Sequence, residues 1–188
     1  RSFVSVVTAI SVVGVLLGVA ILVIVLSVMT GFDNMWREKI LSFKPHLTIM
    51  GSYGAIEDEE NVCKQLDRIE GITGVAPSIE TRVLMKYKER MTAPVIIGID
   101  QVRAAKVSKV PDNIPVGRFD LDGDKVVIGC DIAMQMGLDV GDKALIYSPK
   151  SVTTEDEMYL PDELVVSGIF DMRMRDFDSG FILTSLDV

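Results

Sequence analysis

Hydrophobic positions are arranged along this chain in two unlike ways. From Ser2 to Phe32 about 31 residues pass without a single charge. After Asp33 they come in short runs parted by glycine, proline and charged residues. A helix needs only about 20 apolar residues to cross a bilayer, and a soluble core helix is rarely this long or apolar on every side. A secretory signal has an apolar core of about 7–15 residues before a small-x-small cleavage site, and SVMTGF at the end of this run offers no such site. The stretch predicts a membrane-spanning helix, with an atypical signal or a buried soluble element as alternatives. Its many valines and isoleucines do not argue for a strand, because a lone strand in lipid leaves its backbone groups unpaired.

The helical period continues past the first charges. Phe32, Trp36, Ile40 and Phe43 recur at helical spacing through DNMWREKILSF, and Pro45 ends the pattern. A continuous helix from Phe3 to Phe43 is about 60 Å long, while the lipid core takes up about 30 Å. The remainder is a stalk with one apolar stripe, or a simple anchor with Trp36 in the interfacial belt. Gly14 and Gly18 form a G-x-x-x-G pair, a spacing at which another helix can approach closely.

The second region predicts a mixed α/β domain. HLTIM (46–50) reads as a short strand, GSYG as a turn, and EDEENVCKQLDRIEG as a helix with an acidic first turn and Gly71 as its stop. TRVLMKYK and APVIIGID read as strands with KERMT as the turn between them. Residues 101–119 read as a loop with a short helix. KVVIG, KALIYS, LVVSGIF and FILTSL follow as strands, with CDIAMQMG as a helix between the first two, Asp131 as its N-cap and Gly137 as its C′ residue. The fold class expected is α+β: an N-terminal membrane helix extended as a stalk (residues 1–44), then a domain of two small subdomains (residues 45–188). The chain opens on Arg1 rather than Met, which points to a fragment, incomplete also at its C-terminus.

Residues 148–163 break the alternation. SPKSVTTEDEMYLPDE is polar, bracketed by Pro149 and Pro161, and has Met158, Tyr159 and Leu160 as an apolar tip. Such a loop suits partner contact, Pro149, Lys150, Met158, Tyr159, Leu160 and Pro161 being its contact candidates, or it is a floppy hairpin. All 27 acidic residues follow Phe32, and the net charge is −8. That surface speaks against nucleic acid, which selects basic faces. Cys63 and Cys130 are compatible with one disulfide or with two separately buried thiols.

Candidate chemistry is sparse. His46 is the only histidine, and no C-x-x-C, H-E-x-x-H, P-loop or G-x-S-x-G occurs. DLDGDK (120–125) lacks the ligand spacing of an EF-hand loop and reads as a solvated turn. No catalytic residue and no metal site is expected, and any ATP use belongs to another chain.

SVMTGF at the end of the span, GID at 98–100, GCDIAMQMGLDVGD at 129–142 and VVSGIF at 165–170 resemble the lipoprotein-releasing (Lol-type) ABC transporter permeases of Gram-negative bacteria. These belong with the macrolide-exporter and cell-division permeases that share a periplasmic core domain. Thr30 stands where that branch usually has Asn, and Ile132 where it usually has Leu. The resemblance implies an inner-membrane protein with four membrane helices and a large periplasmic domain between the first two. It implies a second permease subunit, identical or paralogous, and cytoplasmic ATPase subunits that carry the ATP and Mg. It implies a lipoprotein substrate and a periplasmic lipoprotein chaperone recruited by a protruding loop, the hook. Residues 148–163 match that hook by position, but Glu155, Asp156 and Glu157 depart from its expected chemistry.

A lipid-tailed substrate needs an apolar entry, and Val25, Met29, Phe32 and Trp36 offer one near the outer boundary of the span. The alternative is that these four pack on neighbouring helices. Two further functions remain open beside lipoprotein extraction: a related permease that passes ATP-driven motion to an efflux channel or cell-wall hydrolase, and a single-span anchored binding domain.

Overall fold

A computed structural model describes residues 2–51, 56, 58–148 and 160–188. The chain divides into two compact units, Arg1–Ile40 and Leu41–Val188.

The first unit is helix. α1 runs over Ser2–Phe43, and its uncharged part is exposed on every face. Three of its hydroxyls are satisfied within the helix itself: Thr8, Ser11 and Thr30 each donate to the carbonyl four residues back, at 2.9–3.0 Å. Apolar side chains outward and polar groups turned inward is the arrangement a hydrocarbon solvent requires.

The second unit begins with the last turn of α1 and is built on one mixed sheet of nine strands among the described residues. In chain order these are β1 (Ser78–Arg82), β2 (Leu84–Tyr87), β3 (Arg90–Thr92), β4 (Val95–Ile99), β5 (Val116–Gly117), β6 (Lys125–Gly129), β7 (Lys143–Tyr147), β8 (Asp162–Phe170) and β9 (Phe181–Thr184). The helices are α2 (Glu59–Leu66), α3 (Gln101–Val107), α4 (Cys130–Met136) and the single turn α5 (Arg175–Asp178), with a 3-10 turn at Val110–Asp112.

The sheet order is β1-β4-β9-β6-β8-β7-β2-β3, with β5 on β8. Its two ends are halves of one hairpin. β1 and β2 are a single strand interrupted at Val83, and β3 and β4 another interrupted at Pro94. One register runs from Ser78 opposite Ile99 to Tyr87 opposite Arg90, and the Val83 N–H donates to the Pro94 carbonyl across the break at 3.0 Å. The base of the hairpin pairs β9 through β4, and its tip pairs β7 through β2. The hydrogen-bonded path therefore returns to the hairpin it left, and the sheet is rolled into a ring.

The strands of the parallel pairs β4–β9 and β6–β8 are buried along most of their length, as expected where both faces are covered. Successive residues feed two cores. Ile96, Val126, Ile128 and Ile182 join Met85, Ile132, Met136, Ile146, Leu164 and Val166 on one face. Ile97, Ile99, Val127 and Leu183 join Phe43, Val110, Leu121, Phe170 and Phe177 on the other.

Several expectations are corrected. Leu41–Val188 forms one compact unit rather than two subdomains, because a single sheet passes through all its strands. Residues 46–50 are no strand: Leu47, Ile49 and Met50 are exposed, and strand-forming residues need a pairing partner to make a strand. The turn in the first hairpin is only Lys88–Glu89, with Lys88 at φ 53°, because Arg90–Thr92 pair with β2. α2 stops at Leu66, and Gly71 (φ 97°) lies in the turns beyond it. Gly129, not Asp131, is the N-cap of α4, while Gly137 ends that helix in the left-handed conformation as expected. α5 was not anticipated.

Candidate functional site

The residues expected to receive a lipid tail lie on α1 at spacings of four, three and four. Val25, Met29, Phe32 and Trp36 therefore share one helical face, and each is 43–54% exposed. Phe32 and Trp36 meet edge-on, with ring centroids 5.8 Å apart. At Gly14 and Gly18 a methyl group would meet nothing within 4 Å, so both present open backbone to a neighbouring helix.

The stripe does not end as it began. Phe43, one turn beyond Ile40, is buried. Its ring stacks on Phe177 at 4.3 Å between centroids, and lies 5.0 Å from Phe181 and 6.1 Å from Phe170. The Ser42 carbonyl accepts from the Lys109 N–H at 2.8 Å and from the Ser108 hydroxyl at 3.3 Å. Helix-terminal carbonyls have no partner inside the helix, and here the loop after α3 supplies donors. The last turn of α1 is thus a structural member of the domain core. Sequence periodicity put Phe43 on the stripe, but it carried no sign of partners from the far end of the chain.

Of the loop residues, Pro149, Lys150, Met158 and Tyr159 lie outside the described residues. Leu160, 83% exposed, and the half-buried Pro161 lead into β8. On the other side β7 ends at Tyr147, two residues before a proline that has no N–H for a ladder.

The sequence segments that carried the family resemblance sit at joints of the fold. Asp100 of GID caps α3, accepting from the Val102 and Arg103 N–H groups at 2.8 and 2.9 Å. In GLDVGD, the Asp142 carboxylate accepts from the Asp139 N–H at 3.0 Å and the Tyr87 hydroxyl at 2.9 Å. Those two bonds hold its pKa below the usual aspartate value and tie this turn to the tip of the first hairpin. Arg90, also at the tip, reaches the Gln135 carbonyl at the end of α4 at 2.8 Å. In VVSGIF the β6–β8 register slips, leaving Ser167 as the extra residue, and its carbonyl accepts from the Arg118 N–H. Gly129 of GCD packs so closely on α5 that a side chain would overlap the Asp178 backbone.

One cluster of polar groups was missed by sequence reading. Cys130, Asp171 and Asp178 lie within 4.8 Å of one another, beside a shallow cleft of about 640 Å³ that Arg173 and Arg175 also line. Asp178 is buried, yet its two oxygens accept the Met172 and Met174 N–H groups at 2.8 and 2.9 Å. Asp171 accepts from Arg173 N–H at 2.8 Å. Burial raises the Asp178 pKa, and burial together with Asp178, Asp171 and Asp131 pushes the Cys130 thiol up to about 11. A protonated thiol and an aspartate with both oxygens engaged are poor metal donors. The cluster organises the turn between β8 and α5. The Asp120 turn closes similarly, on Lys125 at 2.6 Å. Cys63 and Cys130 are both free thiols.

The long apolar helix is a candidate membrane span, and its last turn packs in the core of a mixed, rolled sheet. The chain belongs to the MacB-like periplasmic core domain family, whose profile matches residues 8–187. It is 27% identical over 191 residues to the lipoprotein-releasing system transmembrane protein LolC of Xylella fastidiosa strain Temecula1, covering 100% of this chain and 46% of that protein. It is also 27% identical to LolC of Neisseria meningitidis, covering 99% of this chain and 46% of the relative. The chain thus spans about half the length of the curated relatives it matches. The extracellular domain of the noncanonic ABC-type transporter YknZ from Gram-positive bacteria shares the fold at a TM-score of 0.50, with 15% identity over 69% of this chain and 62% of that one.

Proposed function

We propose that the chain is the first membrane helix and periplasmic core of an ABC transporter permease that extracts lipoproteins from the inner membrane and passes them to a periplasmic chaperone. The observation that carries this reading is a likeness to LolC that extends over the entire chain, span and domain together. The exposed face of Val25, Met29, Phe32 and Trp36 is the entry for acyl chains. Thioether and large aromatic side chains adapt to tails of varied length. Phe43 carries movement of the helix into the domain core, because its ring cannot shift without displacing Phe177 and Phe181. ATP and Mg belong to separate cytoplasmic subunits, and the permease works beside a second permease subunit.

The test is lipoprotein release from proteoliposomes holding the full-length permease and its ATPase. Met29→Asp and Phe32→Asp abolish release while complex assembly, followed by co-purification, is retained. Release that survives both substitutions removes this face as the entry. A second reading draws on Glu155, Asp156 and Glu157 in the loop: a related permease that transmits motion to a channel or cell-wall hydrolase. A photo-crosslinking residue at Tyr159 separates the two, since it captures a lipoprotein chaperone under the first and a channel, hydrolase or adaptor under the second.

A further inference from the structure

β6 and β8 lie side by side and parallel, and they end level, with Gly129 opposite Phe170. Beyond that line the chain departs to opposite faces of the sheet. After β6, α4 buries Ile132, Ala133 and Met136 in one core. After β8, Met172 and Phe177 enter the other. Neighbouring parallel strands with connections on opposite faces leave a crevice at their carboxyl ends, the place where α/β sheets bind ligands. The cleft of about 640 Å³ lies there, lined by Cys130 and Asp131 at the start of α4 and by Asp171, Arg173 and Arg175 in the segment after β8. Ligand sites usually enclose about 300–1,000 Å³.

The charges of the lining are unequally engaged. Asp178 has both oxygens on backbone N–H groups, and Asp171 accepts from the Arg173 N–H. That last bond holds Arg173 at φ 55°, an uncommon backbone for a residue other than glycine, and both Arg173 and Arg175 line the cleft. Arg175 is exposed, and among the described residues no carboxylate pairs with it. An anion is drawn to this pair of arginines, but Asp131 and Asp171 stand in the same lining. A phosphate, with nearly two negative charges, is repelled by them more than a carboxylate with one, and a carboxylate matches the guanidinium fork. Met134, 71% exposed, and Gln135 complete the α4 side. A thioether packs on side chains of varied shape, and a carboxamide pairs with peptide groups.

We propose that the cleft between α4 and α5 binds a polypeptide segment through an aspartate or glutamate side chain, whose carboxylate Arg173 and Arg175 hold. Met134 and Gln135 contact the residues that flank the acid. The cleft does not depend on the lipoprotein reading, and lipid entry at Val25, Met29, Phe32 and Trp36 can fail while it stands.

The experiment places a photo-crosslinking residue at position 134 of the full-length protein in permeabilised native cells, where the exposed Met134 side chain is dispensable to the core. Mass spectrometry then locates the adducts. Polypeptide adducts are expected within a few residues of an aspartate or glutamate. Arg175→Glu lowers their yield about tenfold, whereas Asp131→Asn, which removes a competing negative charge, raises it. The opposite signs separate binding from misfolding, and the Asp131→Asn arm decides the matter if Arg175→Glu fails to accumulate. A hexa-aspartate peptide suppresses the adducts, while a hexa-asparagine peptide and inorganic phosphate at the same concentration do not. Absence of adducts, adducts confined to lipid, suppression by phosphate, or a yield that neither substitution alters overturns the proposal.

Discussion

The glycines of the two units are used in opposite ways. In α1, Gly14, Gly18 and Gly31 face open space. In the domain, Gly129 and Gly168 are pressed against the backbones of Asp178 and Arg118, with no room for a methyl group. The same contrast holds for whole side chains. The helix turns its apolar surface outward, while the domain buries its apolar side chains in two cores. The apolar surface of the first unit has no cover among the described residues. The second is finished by its own packing.

Substitutions can break that contrast or sharpen it. The largest effect is expected where the helix sequence enters the domain. Phe43→Ala empties a site lined by three phenylalanines and costs about 3–5 kcal/mol of domain stability, measured by thermal unfolding in detergent. A loss below about 1 kcal/mol means the last turn of α1 is not part of the core. Gly129→Ala comes next, at about 3 kcal/mol, since the Asp178 backbone must move to admit the methyl group.

A smaller effect comes from Asp178, and it has a sign. Its folded pKa is raised above the ordinary value, chiefly by burial. The folded state therefore binds the proton more tightly, and this group adds stability as pH falls from the raised value towards about 4. Asp142, with a lowered pKa, acts oppositely and loses its contribution as pH falls. In the difference between parent and Asp178→Asn, only the first trend remains: the parent gains on the variant as the pH of the melt is lowered. A difference that is flat with pH would contradict the raised pKa. The smallest effect is at Gly14. Gly14→Leu leaves domain unfolding within about 0.5 kcal/mol of the parent, while weakening association of the helix with others in the membrane. A destabilised domain would erase the distinction between the units.

What the sequence disclosed follows the same division. The long N-terminal helix was legible because about 31 residues without a charge leave few other conformations open to them. β6, β7, β8 and β9 were legible because buried strands read as apolar runs bounded by turn residues. β1 was blurred, since a strand exposed on both faces has no alternation to read. HLTIM misled for the complementary reason: its composition suits a strand, but among the described residues no strand pairs with it. The partners of Phe43 and the turn built on Asp178 were invisible because they depend on residues far apart in the chain, or on carboxylates bonded to backbone rather than to recognisable ligand motifs.

The rolled hairpin also sets an order of events in time. β4 pairs with β9, and β9 is the last strand of the described chain. Residues 95–99 must therefore wait for residues 181–184 before the ring can close. Contacts this distant in sequence slow folding, because loop-closure entropy is lost before the contacts repay it. Phe43 waits too, because Phe177 and Phe181 arrive with the closing strand. The turn around Phe43 joins the core at the end of folding, and protease resistance near Ser42 should develop in step with that of β9.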